Sequence, residues 1–354
     1  MSAHLPIHAV RPIPNSIRGF CGRTVSDADG GLNIGSCAVT YPRLKFRFNR
    51  NGMAMDKHFW SSALRQIKWL MVMCAVTGAS AVMAQSDPVA TLRAKYASLD
   101  QQLQHNQFKR PLVLNSSETP NRVTGDVYAI VDYPFDAVNA GLNDPDHWCD
   151  VMIMHLNTKY CHTIPGPSGM ALRVNIGKKT PEKLADAARV DFDYRVAAMS
   201  PEYLEITLKA KDGPLGTSDY HILLEAVAIP DGKTFLHLTY SYAMNFAGRL
   251  AMQTYLGTVG SDKVGFTVTG NRADGRPRYI GGMRGLVERN TMRYYLAINT
   301  FLASANMAPA AQPEKRFQAW FTASERYPRQ LHEIDRDEYI EMKRAEYSRQ
   351  QSVY

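Results

Sequence analysis

The order of hydrophobic patterns in this chain predicts an α+β fold with an antiparallel sheet and one long helix near the C-terminus. Three observations lead to this prediction. Runs of alternating apolar and polar residues follow one another between positions 190 and 245, as in antiparallel strands with one covered face. Two short segments that open with proline come before these runs. The longest helical pattern, residues 281–305, comes after them.

The segment that precedes the alternating runs predicts a helix, a strand and two further helices. Residues 86–108 have apolar side chains at helical spacing and a proline in the first turn. A link rich in proline and asparagine leads to a strand at 124–133. Residues 134–144 and 145–155 each begin with proline and predict short helices.

The alternating region predicts successive strands with short connections. We expect strands at 190–198 and 203–213, two strands over 219–245 joined by a Pro-Asp-Gly turn, a helical insert at 246–257, and a last strand at 262–270.

The long helical pattern carries one stripe of residues three and four positions apart. The stripe consists of Met283, Val287, Asn290, Tyr294, Ala297 and Phe301. Arg289 and Arg293 lie beside it, and we expect them on a solvated or salt-bridged face. After Pro309 the sequence becomes polar, and we expect two exposed or docked helices interrupted at Pro328.

A hydrophobic segment preceded by basic residues predicts export. Started at Met55, the chain has a basic region, an apolar run and small residues before a polar stretch. We interpret residues 55–84 as a signal peptide cleaved between Ala84 and Gln85, and residues 1–54 as a disordered extension from a misplaced translation start. A single-pass anchor is the alternative, but the apolar run is shorter than the about 20 residues of a membrane span. The expected location is the periplasm or the medium.

The charge distribution argues against nucleic-acid binding. The chain has a net charge of +8, but residues 1–84 hold 10 of its 41 basic and 3 of its 33 acidic residues. The remainder is close to neutral, so it lacks the basic surface that phosphate binding needs.

Two of the five cysteines, Cys149 and Cys161, lie in the part of the chain that is expected to remain after cleavage of the signal peptide. Because an exported chain meets an oxidising compartment, we expect a disulfide, and two buried free thiols are the alternative. Their spacing does not match a zinc-type pattern, so no metal site is expected.

The element order, together with "DYPFDAVNAGLNDPDHW" and "GLVERNTMRYYLAINTFL", resembles the helix-grip or START-like (SRPBCC) superfamily, which includes bacterial polyketide cyclase-like proteins. The resemblance covers about residues 121–306. It implies a curved sheet around a long helix, with a cavity between them. We therefore expect an N-terminal helix and linker at 85–120, a START-like domain at 121–308 and a helical tail at 309–354.

In START-like proteins the long helix forms one wall of a ligand cavity. The resemblance therefore makes Asn290 and Tyr294 candidates to contact a bound molecule, although Asn290 could instead bond to a neighbouring strand. Tyr240 and Tyr242 alternate with Leu238 on one strand face. They are candidates for further cavity hydroxyls, or for tyrosines satisfied within the core.

The other residues that could take part in catalysis or metal binding are expected to have structural roles. Asp144 is expected to cap a helix rather than bind a metal. His221 and His237 are expected to be structural. No motif for a nucleophile, a phosphate, a metal or a cofactor is present, so we assign no catalytic residue and no cofactor.

Two functions follow from the expected cavity. The first is binding of an apolar or lipid-like small molecule, and the second is a cyclase- or hydrolase-like reaction. The strand faces expected to be buried carry mostly apolar and tyrosine side chains, which favours binding. Docking of residues 309–354 to an envelope protein is a third and weaker option.

Overall fold

The computed structural model describes residues 87–167, 169–258 and 262–352. The expected signal peptide and its cleavage site at Ala84 and Gln85 lie outside these ranges, as do residues 1–54. Within the ranges, none of the helices combines the length and hydrophobicity that a membrane crossing requires.

Eight strands of the described chain form one antiparallel sheet. They are β1 (Leu112–Glu118), β2 (Arg122–Val131), β3 (Thr158–Gly166), β4 (Gly169–Ile176), β5 (Ala188–Met199), β6 (Tyr203–Asp212), β7 (Thr217–Ile229) and β8 (Lys233–Met244). Their spatial order is β1-β2-β8-β7-β6-β5-β4-β3. Register shifts between Val196 and Ala198 and between Ser218 and His221 interrupt the ladders. Such bulges bend strands and help a sheet to curve.

The helices lie before, between and after the strands. They are α1 (Pro88–Ser98), α2 (Asp100–Gln104), α3 (Phe135–Leu142), α4 (Pro145–Met152), α5 (Phe246–Gly257), α6 (Gly282–Ala303), α7 (Gln312–Ser324), α8 (Pro328–Leu331) and α9 (Arg336–Ser352). The cap of α4 is confirmed, since the Asp144 carboxylate accepts the backbone N–H of Asp146 at 2.9 Å.

The long helix α6 packs on the inner face of the sheet. Leu236 and Leu238 of β8 are buried in the same core as Val287 and Phe301 of α6. The helix contacts β1, β2 and β8. A Cβ at Gly125 of β2 would collide with the hydroxyl of Thr291, so glycine is needed there for the close approach. This arrangement confirms the predicted helix-grip α+β fold.

The N-terminal helices cover part of the outer face. Leu92, Leu99 and Leu103 are buried against Val227 and Phe235, which project from β7 and β8. The sheet is therefore covered on both faces in this region.

The tail is docked on the same body. Trp320 of α7 is buried, and its Nε1 donates to the backbone oxygen of Arg293 at 3.1 Å. Tyr339 of α9 stacks on Trp320 with ring centres 5.1 Å apart, and its hydroxyl donates to the oxygen of Met154 at 2.8 Å. The two helices thus contact both α6 and the segment that follows α4.

A buried ion cluster fixes α9 to β3. The Glu346 carboxylate accepts from Lys159 at 2.9 Å and from Lys343 at 2.7 Å, and both lysine side chains are fully buried. Each ammonium also donates to two backbone oxygens, those of Leu156 and Thr180 for Lys159 and those of His155 and Thr158 for Lys343.

Three regions of the sheet strands differ from the sequence predictions. The segment expected as a linker contains β1, so the sheet begins before residue 121. The strands β3 and β4 were not predicted. The strand expected at 262–270 is reduced to β9 (Val268–Asn271), which pairs with β10 (Pro277–Tyr279) in a separate hairpin. Val264 and Phe266 are instead buried by tertiary packing.

Candidate functional site

A cavity of about 230 Å³ lies between the inner face of the sheet and α6. The structure brings all four predicted ligand contacts, Asn290, Tyr294, Tyr240 and Tyr242, to its wall. Their role as contacts to a ligand stays a prediction, but their common location agrees with the predicted pocket.

Aromatic rings form one side of the cavity. The ring of Tyr220 lies 5.3 Å from that of Tyr242 and 6.0 Å from that of Phe192. Tyr294 of α6 meets Tyr240 of β8 at 5.2 Å. These separations fall in the favourable range for aromatic pairs. Tyr220 and Phe192 were not predicted for the site, although each alternates with polar neighbours on its strand.

The tyrosine hydroxyls differ in their bonding. The Tyr220 hydroxyl pairs with Thr217 Oγ1 at 2.8 Å. The hydroxyls of Tyr240, Tyr242 and Tyr294 make no hydrogen bond to any residue in the described ranges. Burial raises the pKa of all three, so each stays protonated and offers one donor and two acceptor lone pairs. These groups are available to a bound molecule.

Asn290 is half-buried on the cavity wall. Its Oδ1 accepts a long hydrogen bond of 3.4 Å from Arg293 Nη1. The alternative bond to a neighbouring strand is not seen among the described residues. The amide therefore keeps most of its hydrogen-bonding capacity.

Four cationic side chains also line the cavity: Lys179, Lys263, Arg289 and Arg293. Arg289 is 2% exposed and Arg293 1%. The expected solvated face is therefore wrong for both residues, since they lie in the interior. The other part of that expectation, a salt-bridged face, agrees with Arg293, which pairs with Glu333.

Glu333, between α8 and α9, joins three of these cations. Its carboxylate lies 2.7 Å from Lys179 Nζ, 3.0 Å from Lys263 Nζ and 2.8 Å from Arg293 Nη2. Burial acts to raise the pKa of Glu333, but the charges of Arg293 and Lys179 outweigh it and lower the pKa to about 2. Burial and the charge of Arg293 lower the pKa of Lys179 to about 8 against the effect of Glu333. The carboxylate is thus ionised, and Lys179 titrates near physiological pH.

His155 lies between the aromatic and cationic groups. Its ring centre is 5.0 Å from that of Tyr294, and its Nδ1 accepts the backbone N–H of Asn157 at 3.3 Å. Burial lowers the pKa of His155 well below its ordinary value, so the ring is neutral and its proton sits on Nε2. That Nε2 has no acceptor among the described residues.

A wider hollow of about 930 Å³ lies on the outer face of β4 to β7. Its described lining contains many charged side chains and one tyrosine, Tyr220. Arg173 and Asp191 of this lining form an ion pair at 3.1 Å. We therefore regard the cavity under α6 as the candidate site.

The predicted disulfide is present. Cys149 of α4 and Cys161 of β3 are joined, with their Cα atoms 5.1 Å apart. The described residues contain no group of acidic, histidine or cysteine side chains arranged to hold a metal ion.

His237 lies away from the cavity, on the outer face of the sheet. Its Nδ1 is 2.7 Å from Glu225 and its Nε2 is 3.0 Å from Asp126. Burial acts to lower the pKa of His237, but the bonds to Asp126 and Glu225 outweigh it and raise the pKa. The contacts agree with a structural role. His221 borders the outer hollow.

The curved sheet, the long helix and the cavity between them define a helix-grip, START-like fold. No protein-family model matches the chain, and no curated protein matches it.

Solved structures of low similarity include three examples. A conserved protein from Geobacillus kaustophilus is 14% identical at a TM-score of 0.31, over 51% of this chain and 96% of that one. Norcoclaurine synthase from Thalictrum flavum is 11% identical at a TM-score of 0.29, and the match covers 41% of this chain and 91% of that chain. Ara h 8.0201 is 11% identical at a TM-score of 0.31, and the match covers 52% of this chain and 99% of that chain. At these TM-scores the similarities carry no argument about function, and the fold is defined by the sheet and helix themselves.

Proposed function

We propose that this protein binds an apolar or lipid-like small molecule in the cavity between the sheet and α6. One observation carries the proposal: the cavity has an aromatic wall whose hydroxyls, on Tyr240, Tyr242 and Tyr294, have no partner within the described ranges. Apolar walls with a few convergent polar groups are typical of small-molecule sites.

The cavity volume of about 230 Å³ limits the molecule. Ligand pockets usually measure about 300–1,000 Å³. A compact molecule with one or two rings therefore fits the cavity better than a two-chain lipid.

A cyclase- or hydrolase-like reaction is the second candidate. It has one supporting observation, the pKa of about 8 at Lys179 in the cavity wall. Lys179 is bonded to Glu333, however, and the described residues of the lining include no carboxylate that could act as a general base. Binding is therefore the better supported function.

We also propose export to the periplasm or the medium, with cleavage between Ala84 and Gln85. The disulfide between Cys149 and Cys161 supports this location, since such bonds persist in oxidising compartments. An envelope partner for residues 309–354 stays a prediction, and the outer faces of α7 and α9 are the surfaces it would use.

A cavity-filling variant tests the binding proposal. Leu286 lines the cavity from α6, and Leu286→Trp would occupy it. We expect a neutral aromatic probe, 2-naphthalenemethanol, to bind the wild type in isothermal titration calorimetry and to lose binding in this variant. Leu250→Trp is the matched control, because Leu250 is 55% exposed and lies outside the lining.

Two results would contradict the proposal. One is a wild type that does not bind the probe. The other is a Leu286→Trp protein that keeps the wild-type melting curve and binds the probe as strongly as before.

A further inference from the structure

We infer that the molecule bound in the cavity is a compact organic anion, such as an aromatic or alicyclic carboxylate. Its acidic group would be held by Lys179, Lys263 and Arg293, and its ring body would lie against the tyrosines. The inference rests on the proposed function, since it names the chemical class of the ligand for the same cavity.

The charge of the cavity is the first argument. Lys179, Lys263, Arg289 and Arg293 line it, whereas no acidic residue of the described chain does so. Among the described residues, one carboxylate, that of Glu333, bonds to three of these cations, Lys179, Lys263 and Arg293. His155 is neutral. The wall therefore keeps an excess of positive charge that an anion would balance.

The remaining donors of the lysines are the second argument. An ammonium has three N–H donors. In the described part of the chain, Lys179 uses one of them, toward Glu333, and Lys263 uses two, toward Glu333 and the oxygen of His332. Their side chains are 31% and 34% exposed, so both can reach a molecule in the cavity.

The aromatic side gives the third argument. Tyr220, Tyr240 and Tyr242 lie in one group of contacting rings. An inorganic anion would leave this apolar surface uncovered, and a neutral apolar molecule would leave the cations uncompensated. A molecule with a ring at one end and an acidic group at the other satisfies both parts of the wall.

Proton uptake is an independent consequence. The pKa of Lys179 is about 8 in the unliganded protein. An anion beside the ammonium favours its charged form and raises the pKa. Binding at pH 8 should therefore take up part of a proton, whereas a neutral ligand should take up none.

Paired probes of nearly equal shape test the inference. 2-Naphthoate and 2-naphthalenemethanol differ mainly in charge, and calorimetry at pH 7 gives both affinities. We expect the wild type to bind the carboxylate at least about tenfold more tightly than the alcohol. Lys179→Met and Lys263→Met should each weaken carboxylate binding about tenfold more than they weaken alcohol binding. Lys178→Met is the matched control, since Lys178 is 76% exposed and outside the lining, and it should change neither affinity.

The outcomes separate this inference from the proposed function. If both probes bind the wild type equally, the anion inference is wrong and the binding function stands. If neither probe binds, both proposals are wrong. If the lysine variants melt at a lower temperature, their affinities cannot be compared with that of the wild type. The test is then proton uptake by the wild type, measured by calorimetry at pH 8 in buffers of different ionisation enthalpy. Absence of proton uptake with bound 2-naphthoate would then overturn the inference.

Discussion

The buried carboxylate of Glu346 gives the sharpest stability prediction. It bonds to two fully buried ammoniums, on Lys159 and Lys343, at 2.9 and 2.7 Å. Glu346→Gln keeps the shape of the side chain and removes its charge. The substitution leaves two positive charges in a buried volume where one negative charge had offset them.

The expected loss can be worked from the two lysines. Burial lowers the pKa of Lys343 from 10.5 to about 8 in the presence of Glu346. Without the carboxylate the pKa of Lys343 falls further. At pH 7 the side chain then loses its proton instead of staying an unpaired buried charge, at a cost of about 1 kcal/mol. Loss of a hydrogen bond between charged groups adds about 1.5–3 kcal/mol, because the amide can replace one contact but not both. We therefore expect a decrease of about 3 kcal/mol in the free energy of unfolding.

The pH dependence gives a second signature. The folded protein releases the Lys343 proton near pH 8, whereas an unfolded chain does so near its ordinary pKa of 10.5. The unfolded state thus binds more protons in this interval, and stability rises with pH there. The deficit of Glu346→Gln should shrink above pH 8, because the wild type has then lost the same proton.

Urea unfolding followed by far-ultraviolet circular dichroism at pH 7 and pH 9 measures both effects. Glu341→Gln is the control on the same helix, since Glu341 is exposed, and it should change stability by less than about 0.5 kcal/mol. A loss below about 1 kcal/mol at pH 7, or an equal loss at both pH values, would refute the reasoning about the buried cluster.

Three further predictions concern the cavity, the outer face and the N-terminus. Asn290→Leu should leave the melting temperature nearly unchanged, since its described bond is long, and should weaken 2-naphthoate binding about tenfold in calorimetry. A loss of stability with normal binding would remove Asn290 from the site. In the folded protein the pKa of His237 is raised, and the pKa values of Asp126 and Glu225 are lowered. This cluster therefore stabilises the fold most at pH values above the ordinary pKa of the acids and below the ordinary pKa of histidine. The advantage of the wild type over His237→Gln in urea unfolding should therefore decline from pH 6 to pH 8, and a constant difference would contradict the assigned charges. N-terminal sequencing of protein recovered outside the cytoplasm should begin at Gln85 or within a few residues of it, and retention of residues 1–54 would refute the export proposal.

Local patterns in the sequence were sufficient for most of the fold. The alternation in 190–198 and 203–213 and the long stripe from Met283 to Phe301 each predict a buried face, and the structure buries most of these residues in the core. Val196 is an exception at 37% exposed, next to a register shift in its strand. By contrast, β1 begins with three buried residues and then turns polar along the sheet edge, so its pattern resembled a linker. The strand β3 also escaped detection, because Thr158, Lys159 and Tyr160 are buried in succession without alternation. The tail helix α9 covers these residues.

The aromatic half of the site was predictable, whereas the charged half was not. Tyr240 and Tyr242 share one strand face with Leu238 and alternate with Thr239 and Ser241. Tyr294 lies on the helix stripe, so local spacing located all three tyrosines. Lys179 and Glu333 come from distant parts of the chain and meet only after the tail has docked. Periodicity carries no information about such a contact, because it reports which face of an element is buried and not what covers it.

The position of Glu333 has a consequence for the order in which the protein matures. A chain that is synthesised or translocated from its N-terminus acquires the sheet and α6 before it acquires Glu333. Until then Lys179, Lys263 and Arg293 lack the carboxylate that holds them together in the finished structure. Their mutual repulsion would then be uncompensated. The tail therefore supplies the carboxylate of the candidate site, and a chain that ends before residue 333 would carry these three cations without their shared counter-charge.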